Sequence, residues 1–475
     1  MNTTEALKNK QFIIKITGIG SEGQGVGRLD NGCTVFVPGA LPDETISVLI
    51  IKTKATYCVG KLIDIIDPSP HRIESPCHVA GRCGGCDLLH CSYPYQLEIK
   101  QRILEQTFKR IGRFGDLSAA PIIGMSNPFR YRNKSSFPIS VSDNLPLIGF
   151  YSKRSHRVTP ISDCLVNHEI NSAIVLSISE YIRRFNVSVY NEDSHSGLLR
   201  HILMRAGFYT KEVMVCLMIN GDDIPKASAL VEILKNHVPG FTTLTLNINK
   251  SRTNVIMGEQ TRAIYGSGVI HDYIGDLRFE ISPSSFYQVN PVQTKVLYDT
   301  VLAFAELTGN ETIVEAYCGI GTISLYLARY AKHVYAAEIE QGAVMDAERN
   351  AKANGISNVT FYSDNAEAWL PNFCVNNNIK PDIYVVDPPR KGCGPELLQA
   401  MAALPAQKVI YISCDMGTLA RDALLLTGMG YTLSKLQPVD MFPQTAHVEA
   451  VALMEWAGVN VGNNDAAKHI EEIIL

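Results

Sequence analysis

Residues 312–330 read TIVEAYCGIGTISLYLARY. A β-branched run ends in the glycine turn Cys318-Gly319-Ile320-Gly321 and passes directly into TISLYLARY, whose apolar spacing is helical. Glycines at a strand-to-helix turn let the backbone approach a ligand, and an acid that closes the next strand can hold a ribose. That acid is Glu338, in HVYAAEIE, 19 residues beyond Gly319. The alternation continues with a helix through Asn354, then VTFYS, DIYVVDPP, KVIYIS, a helix from Met416, and HVEAVALME. Strand and helix in turn predict βαβ units around a mostly parallel sheet, a Rossmann-like α/β domain over residues 276–475. Ser324 stands where a pyrophosphate-binding fingerprint needs its third glycine. A ligand with a ribose but no pyrophosphate, S-adenosylmethionine, therefore suits the turn better than NAD.

Three further positions fall at strand ends of this domain. Asp387 follows DIYVVD and precedes Pro388-Pro389-Arg390-Lys391-Gly392; the prolines fix the chain and aim the acid at the crevice where doubly wound folds bind ligands. Cys414 follows KVIYIS and precedes a helix, a position expected to lower the thiol pKa and make it a nucleophile. Glu449 lies in an otherwise apolar late strand, either as a structural pair or as a base.

Upstream the pattern changes. A chain of 475 residues holds two or three compact units, and 46% apolar with 19% charged residues excludes wholesale disorder. Short β-branched runs punctuated by Gly and Asn-Gly over residues 11–66 predict a small OB-like barrel in a domain spanning 1–70, a shape that often binds RNA. Residues 71–275 read as an α+β middle domain, in which YQLEIKQRILEQTFKRIGRF is a helix with one packed and one basic face.

No run of apolar residues is long enough to span a membrane. The N-terminus lacks the pattern of an export signal, so the expected address is cytoplasmic and the 12 cysteines are expected to be reduced. Three of them, Cys77, Cys83 and Cys86, fall in CHVAGRCGGC, with Cys164 or Cys91 as a possible fourth metal ligand; zinc and a [4Fe-4S] cluster both suit that chemistry. From Lys100 to Arg157 eleven Lys and Arg face three acids, a local +8 in a chain of net charge -4, which marks a phosphate-binding strip.

Taken with FYQVNPVQTKVLY at 286–298, these motifs make the chain resemble the RNA uridine-5-methyltransferases, in particular the bacterial 23S ribosomal RNA enzymes with an N-terminal TRAM barrel and a [4Fe-4S] cluster. The resemblance covers nearly the whole chain. It implies a cluster on Cys77, Cys83, Cys86 and Cys164, and contacts to S-adenosylmethionine from Gln288, Tyr317, Gly319, Gly321, Glu338, Asn365 and Asp387. It also makes Cys414 the nucleophile and Glu449 the base, and has part of 92–124 packing on the catalytic domain. The expected partner is RNA, contacted by Arg130, Arg132, Lys134 and the barrel, with no membrane and no obligate protein partner. A tRNA uridine-5-methyltransferase and, from another class, an RNA-binding or iron-sulfur sensor protein are the alternatives.

Overall fold

The computed structural model describes residues 7–115, 118–143, 145–153, 155–377 and 379–458. At the N-terminus β1 (Gln11–Ile19), β2 (Gly25–Arg28), β3 (Thr34–Val37), β4 (Thr45–Thr53) and β5 (Tyr57–Asp67) close into a barrel in the order β1-β2-β3-β5-β4. Alternate residues point inward, so Ile14, Ile16, Val35, Val37, Ile46, Val48 and Ile50 form one core. Closure needs Gly60, because a Cβ there would stand 2.2 Å from Val48 Cγ2.

Helix α1 (Tyr93–Arg110) follows, started by Pro94 in its first turn. A seven-stranded sheet then combines β6 (Lys134–Ser142), β7 (Leu145–Tyr151), β8 (Val158–Pro160), β9 (Leu199–Ala206), β10 (Val213–Ile219), β11 (Phe241–Ile248) and β12 (Gln260–Tyr265) in the order β12-β11-β10-β9-β6-β7-β8. Helices α2 (Ile170–Phe185) and α3 (Ala227–His237) pack on each other and on this sheet.

A hairpin of β13 (Ile270–Ile274) and β14 (Leu277–Ile281) leads into the C-terminal domain. There α4 (Pro291–Ala305), β15 (Thr312–Ala316), α5 (Thr322–Ala328), β16 (His333–Glu338), α6 (Gln341–Ala353), β17 (Val359–Ser363) and α7 (Ala366–Asn376) are followed by β18 (Ile383–Val386), α8 (Pro395–Ala403), β19 (Lys408–Ser413), α9 (Met416–Gly428), β20 (Tyr431–Val439) and β21 (Glu449–Trp456). The strand order is β17-β16-β15-β18-β19-β21-β20, with β21 antiparallel to both of its neighbours. Large apolar cores cover both faces of this sheet, which is why β15, β18 and β19 are near-continuous apolar runs rather than alternating ones. Chain order reverses between β15 and β18, and a crevice opens at the carboxyl ends of such neighbours.

Two expectations need correction. The boundary at 275/276 moves, while within 71–275 the stretch expected to pack on the catalytic domain is part of 92–124. Leu104, Phe108 and Ala119 join the C-terminal core, and residues 120–123 hydrogen-bond along edge strand β20 through Leu436 and Pro438. At the other end, the hairpin that straddles 275/276 buries Ile270, Ile274, Phe279 and Ile281 in the C-terminal core. The helix also lacks a uniformly basic outer face: Lys100 is fully buried, 2.5 Å from the carboxylate of Asp440. Burial pulls the Lys100 pKa down while Asp440 pulls it up, so the pair holds only as a unit. Among the described residues no helix is long and apolar enough to cross a membrane.

Candidate active site

The glycine turn sits at the end of β15. Tyr317 (φ +65°) and Gly319 (φ +55°) take left-handed conformations, and Gly321 (φ +78°) caps α5 where a Cβ would stand 2.9 Å from Phe361. Glu338, at the end of β16, closes the turn by accepting Gly319 N–H at 3.0 Å and Glu340 N–H at 3.0 Å. Tyr317 Oη donates to Glu367 at 2.9 Å. Asn365 accepts Glu367 N–H at 2.8 Å, so its carbonyl caps α7 and only its amide NH2 faces outward chemistry. Gln288 is buried, and its backbone carbonyl accepts from Asn133 at 2.9 Å.

Asp387, Cys414 and Glu449 lie one, two and three strands away from β15. Asp387 ends β18, Cys414 follows β19, and Glu449 begins β21, where Ser413 pairs with Ala450. The turn holding Cys414 is fixed by Ser413 Oγ, which accepts Asp415 N–H at 3.0 Å, and by the Asp415 side chain, which caps α9 through Thr418 N–H at 3.0 Å. Glu449 is 2% exposed, and its Oε2 has no hydrogen-bond partner among the described residues. A buried carboxyl oxygen without a partner is uncommon, because burial removes its hydrogen bonds to water.

Electrostatics here run against one expectation. The helix N-terminus does not lower the Cys414 pKa; burial pushes the thiol up to about 11, Glu449 and Asp387 add to the rise, and Arg390 opposes it. Burial and two neighbouring acids outweigh the helix terminus, one of whose free amides, Thr418 N–H, is already taken by Asp415. Burial likewise raises Asp387, and raises Glu449 further through Asp387.

With a thiol at about 11, about one Cys414 in ten thousand is ionised at pH 7. Alkylation of Cys414 by iodoacetamide, followed at its own peptide by mass spectrometry, is therefore expected to accelerate about ten-fold per unit from pH 7 to 10. A plateau already reached at pH 8 would contradict this environment.

Sequence reasoning passes over two groups inside motifs it quotes. Glu315 is buried at the end of β15; burial raises its carboxyl to about 8, a hydrogen bond from Ser324 opposes this, and Asp387 and Glu338 add to it. Arg390 is a cation that lowers the Cys414 pKa. The acid of EAY and the arginine of DPPR were the available signals.

A second site lies outside the crevice. Cys77, Cys83, Cys86 and Cys164 line one cavity of about 710 Å³ together with Tyr131, Arg132, Lys134 and Lys153. Burial raises Cys83, Cys86 and Cys164, and the neighbouring thiols raise them further. Among the described residues no three His, Cys, Asp or Glu side chains stand close enough to hold a single metal ion. Cys91 is buried elsewhere, among Leu88, Tyr95 and Ile99.

The expected RNA contacts fare unevenly. Arg130 is one-third exposed and paired with both carboxylate oxygens of Asp163, at 2.6 and 2.7 Å, and with the carbonyl of Cys164, so its charge is already partnered beside the cysteines. Lys134 is largely enclosed, and burial lowers it to about 8 with help from Arg205 and Arg132. Arg132 keeps a half-exposed guanidinium with no carboxylate partner among the described residues.

Residues 248–456 match the family model of the tRNA (uracil-5-)-methyltransferases, and residues 6–63 match the TRAM domain. An uncharacterized RNA methyltransferase of Halalkalibacterium halodurans is 43% identical over 96% of this chain and 99% of that protein. One of Clostridium tetani is 43% identical over 95% and 97%. The crystal structure of the Pyrococcus abyssi tRNA (uracil-54, C5)-methyltransferase in complex with S-adenosyl-L-homocysteine superimposes with a TM-score of 0.75 at 26% identity, covering 93% of this chain and all of that one.

Proposed function

Because the chain belongs to the S-adenosylmethionine-dependent RNA uracil-5-methyltransferase family, we propose that it forms 5-methyluridine in 23S ribosomal RNA through a covalent adduct on Cys414. The observation that carries this reading is the meeting of Cys414, Asp387 and Glu449 at strand ends beside the glycine turn, close enough for both acids to act on the thiol.

Uracil C5 is too electron-poor to take a methyl group unaided. The Cys414 thiol, neutral at rest, releases its proton to solvent as the cationic cofactor binds, and addition of the resulting thiolate at C6 turns the ring into an enolate with electron density at C5. S-adenosylmethionine, when bound, supplies the methyl group from a sulfonium cation whose charge also favours the ionised forms of acids near it. Arg390 acts on Cys414 in the same direction. Glu449 then takes the C5 proton on its unpartnered oxygen, the electron pair restores the C5–C6 double bond, and Cys414 leaves as thiolate. Asp387 is assigned a hydrogen bond to the base or the cofactor. The remaining cofactor contacts are assigned to Gln288, Tyr317, Gly319, Gly321, Glu338 and the free amide of Asn365. A stacked, paired uracil hides C6, so the target is single-stranded or flipped out. The barrel and Arg132 are the proposed RNA contacts, without Arg130.

Four thiols around one cavity suit the four-ligand demand of a [4Fe-4S] cluster, and Arg132, Lys134 and Lys153 supply positive charge around it. Cys77, Cys83, Cys86 and Cys164 are the proposed ligands. Bound there, the cluster would offer one-electron chemistry and a four-way cross-link. The methylation above transfers no electrons, so the cysteines are assigned the structural role.

A second reading, a tRNA target, is favoured by the matched family model and by the Pyrococcus enzyme. Incubation with labelled S-adenosylmethionine and unmodified ribosomal RNA or tRNA, followed by nucleoside mass spectrometry, separates the two. Methyl-labelled 5-methyluridine in ribosomal RNA alone is the expected result. Label in tRNA alone transfers the assignment to the second reading, and no label in either RNA refutes both.

A further inference from the structure

We propose that Gln96 and Tyr131 are positioning residues that tie the cysteine-bearing segment 77–91 to the loop that presents Glu449, an inference resting on the reading of Glu449 as the base. Residues 440–448 join β20 to β21, and Glu449 is the first residue after them. A loop of this length would ordinarily be mobile, but nearly every turn of it is anchored from below.

Two of the anchors lie beside the segment that bears the cysteines, Tyr131 in the wall of the cysteine cavity and Gln96 on α1. Tyr131, 2% exposed and lining the same cavity as Cys77, Cys83, Cys86 and Cys164, donates its hydroxyl to the carbonyl of Pro443 at 3.0 Å. Gln96, 1% exposed, accepts Gln444 N–H at 3.1 Å, and its Nε2 lies 2.9 Å from Gln444 Oε1. The same Nε2 reaches the carbonyls of Leu88 at 3.1 Å and Cys91 at 2.9 Å. One amide thus touches the cysteine segment and the loop together. The contact is completed by the carbonyl of Gln444, which accepts the N–H groups of Asp87 and Leu88, the two residues after Cys86, at 3.0 Å each.

Gln444 itself is 2% exposed and left-handed at φ +71°. A non-glycine residue keeps that conformation only where its surroundings hold it. Here they do so at both the backbone and the side chain, five residues before the carboxylate. The Lys100 and Tyr93 bonds to Asp440 fix the other end of the loop independently of the cysteines.

The chemistry indicates what loosening this tie does. Glu449 acts after methyl transfer, so a displaced carboxylate slows C5 deprotonation and leaves RNA bound covalently to Cys414. A purely structural role would lower the active fraction without changing which step is slow.

The test uses the full-length protein as purified, the RNA substrate identified by nucleoside mass spectrometry, and the same RNA made with 5-deuterouridine. Tyr131→Phe and Gln96→Met are compared with Glu449→Gln. The expected result for the first two is a kcat lower by about ten-fold, with the KM for S-adenosylmethionine unchanged. A larger deuterium isotope effect, a larger fraction of gel-stable enzyme–RNA adduct, and faster hydrogen exchange in the 440–448 peptide are expected alongside it. If Gln96→Met fails to fold, Tyr131→Phe, which removes a single oxygen, carries the test. Unchanged kcat, or a lower kcat with neither isotope effect nor adduct, overturns the coupling when Glu449→Gln does accumulate adduct. Failure of Glu449→Gln to accumulate adduct overturns the base assignment, and the coupling falls with it.

Discussion

Cys414→Ala is expected to reduce 5-methyluridine formation by about 10⁴-fold or more, because addition of this thiolate to C6 is the step that raises the electron density of C5. The environment of the thiol sharpens the expectation. Burial and the two acids keep Cys414 neutral at rest despite Arg390, so the protein holds a latent nucleophile whose ionisation awaits the further positive charge of the sulfonium. Binding does not draw on the thiol, so the variant is expected to retain its affinity for RNA and for S-adenosyl-L-homocysteine, measured by fluorescence or calorimetry. Single-turnover assays would then show no gel-stable adduct at any time. Residual methylation within ten-fold of the parent would refute the nucleophile assignment.

Glu449→Gln is expected to lower turnover by about 10²- to 10⁴-fold, the usual scale for a lost general base. Unlike Cys414→Ala, it leaves the first two steps intact, so methylated RNA accumulates on Cys414 as a covalent adduct visible on a denaturing gel. The fold should tolerate the change well. The Glu449 carboxyl is raised by burial and by Asp387, so the folded protein binds this proton more tightly than the unfolded chain does. Stability therefore falls as pH rises above the unfolded carboxyl value, and a neutral glutamine removes that loss. At pH 8 the thermal midpoint of Glu449→Gln is expected to equal or exceed that of the parent. A lower midpoint would mean that the carboxylate has an ion partner the crevice does not reveal.

These contrasts show how differently the residues could be read in advance. Glu338 is legible because its place depends on one turn and one strand: the helix between β15 and β16 has a narrow range of lengths, so the spacing from Gly319 returns the acid to the turn, where it is found. Cys77, Cys83 and Cys86 are legible as a group for the same reason. Cys164 is far along the chain and stands beside Cys91 as a candidate fourth ligand until the family resemblance selects it; the cavity brings all four together. Lys100 was misread because helical periodicity assigns a lysine to solvent, whereas its partner Asp440 lies 340 residues away. Arg130 was read as an RNA contact for its charge alone, and Asp163 and the Cys164 carbonyl claim that charge.

By itself, then, the sequence determined the barrel, the alternating C-terminal sheet and the strand-end positions of Asp387, Cys414 and Glu449, because strand pleat, helical repeat and the backbone freedom of glycine are local properties that neighbours in the chain impose. Only the tertiary structure decided the protonation of those groups, the place of the β13–β14 hairpin in the C-terminal core, and the anchoring of residues 440–448 by Gln96 and Tyr131. Each of these depends on exclusion of water and on partners distant in the chain, and a dielectric environment exists only once the chain has closed around it.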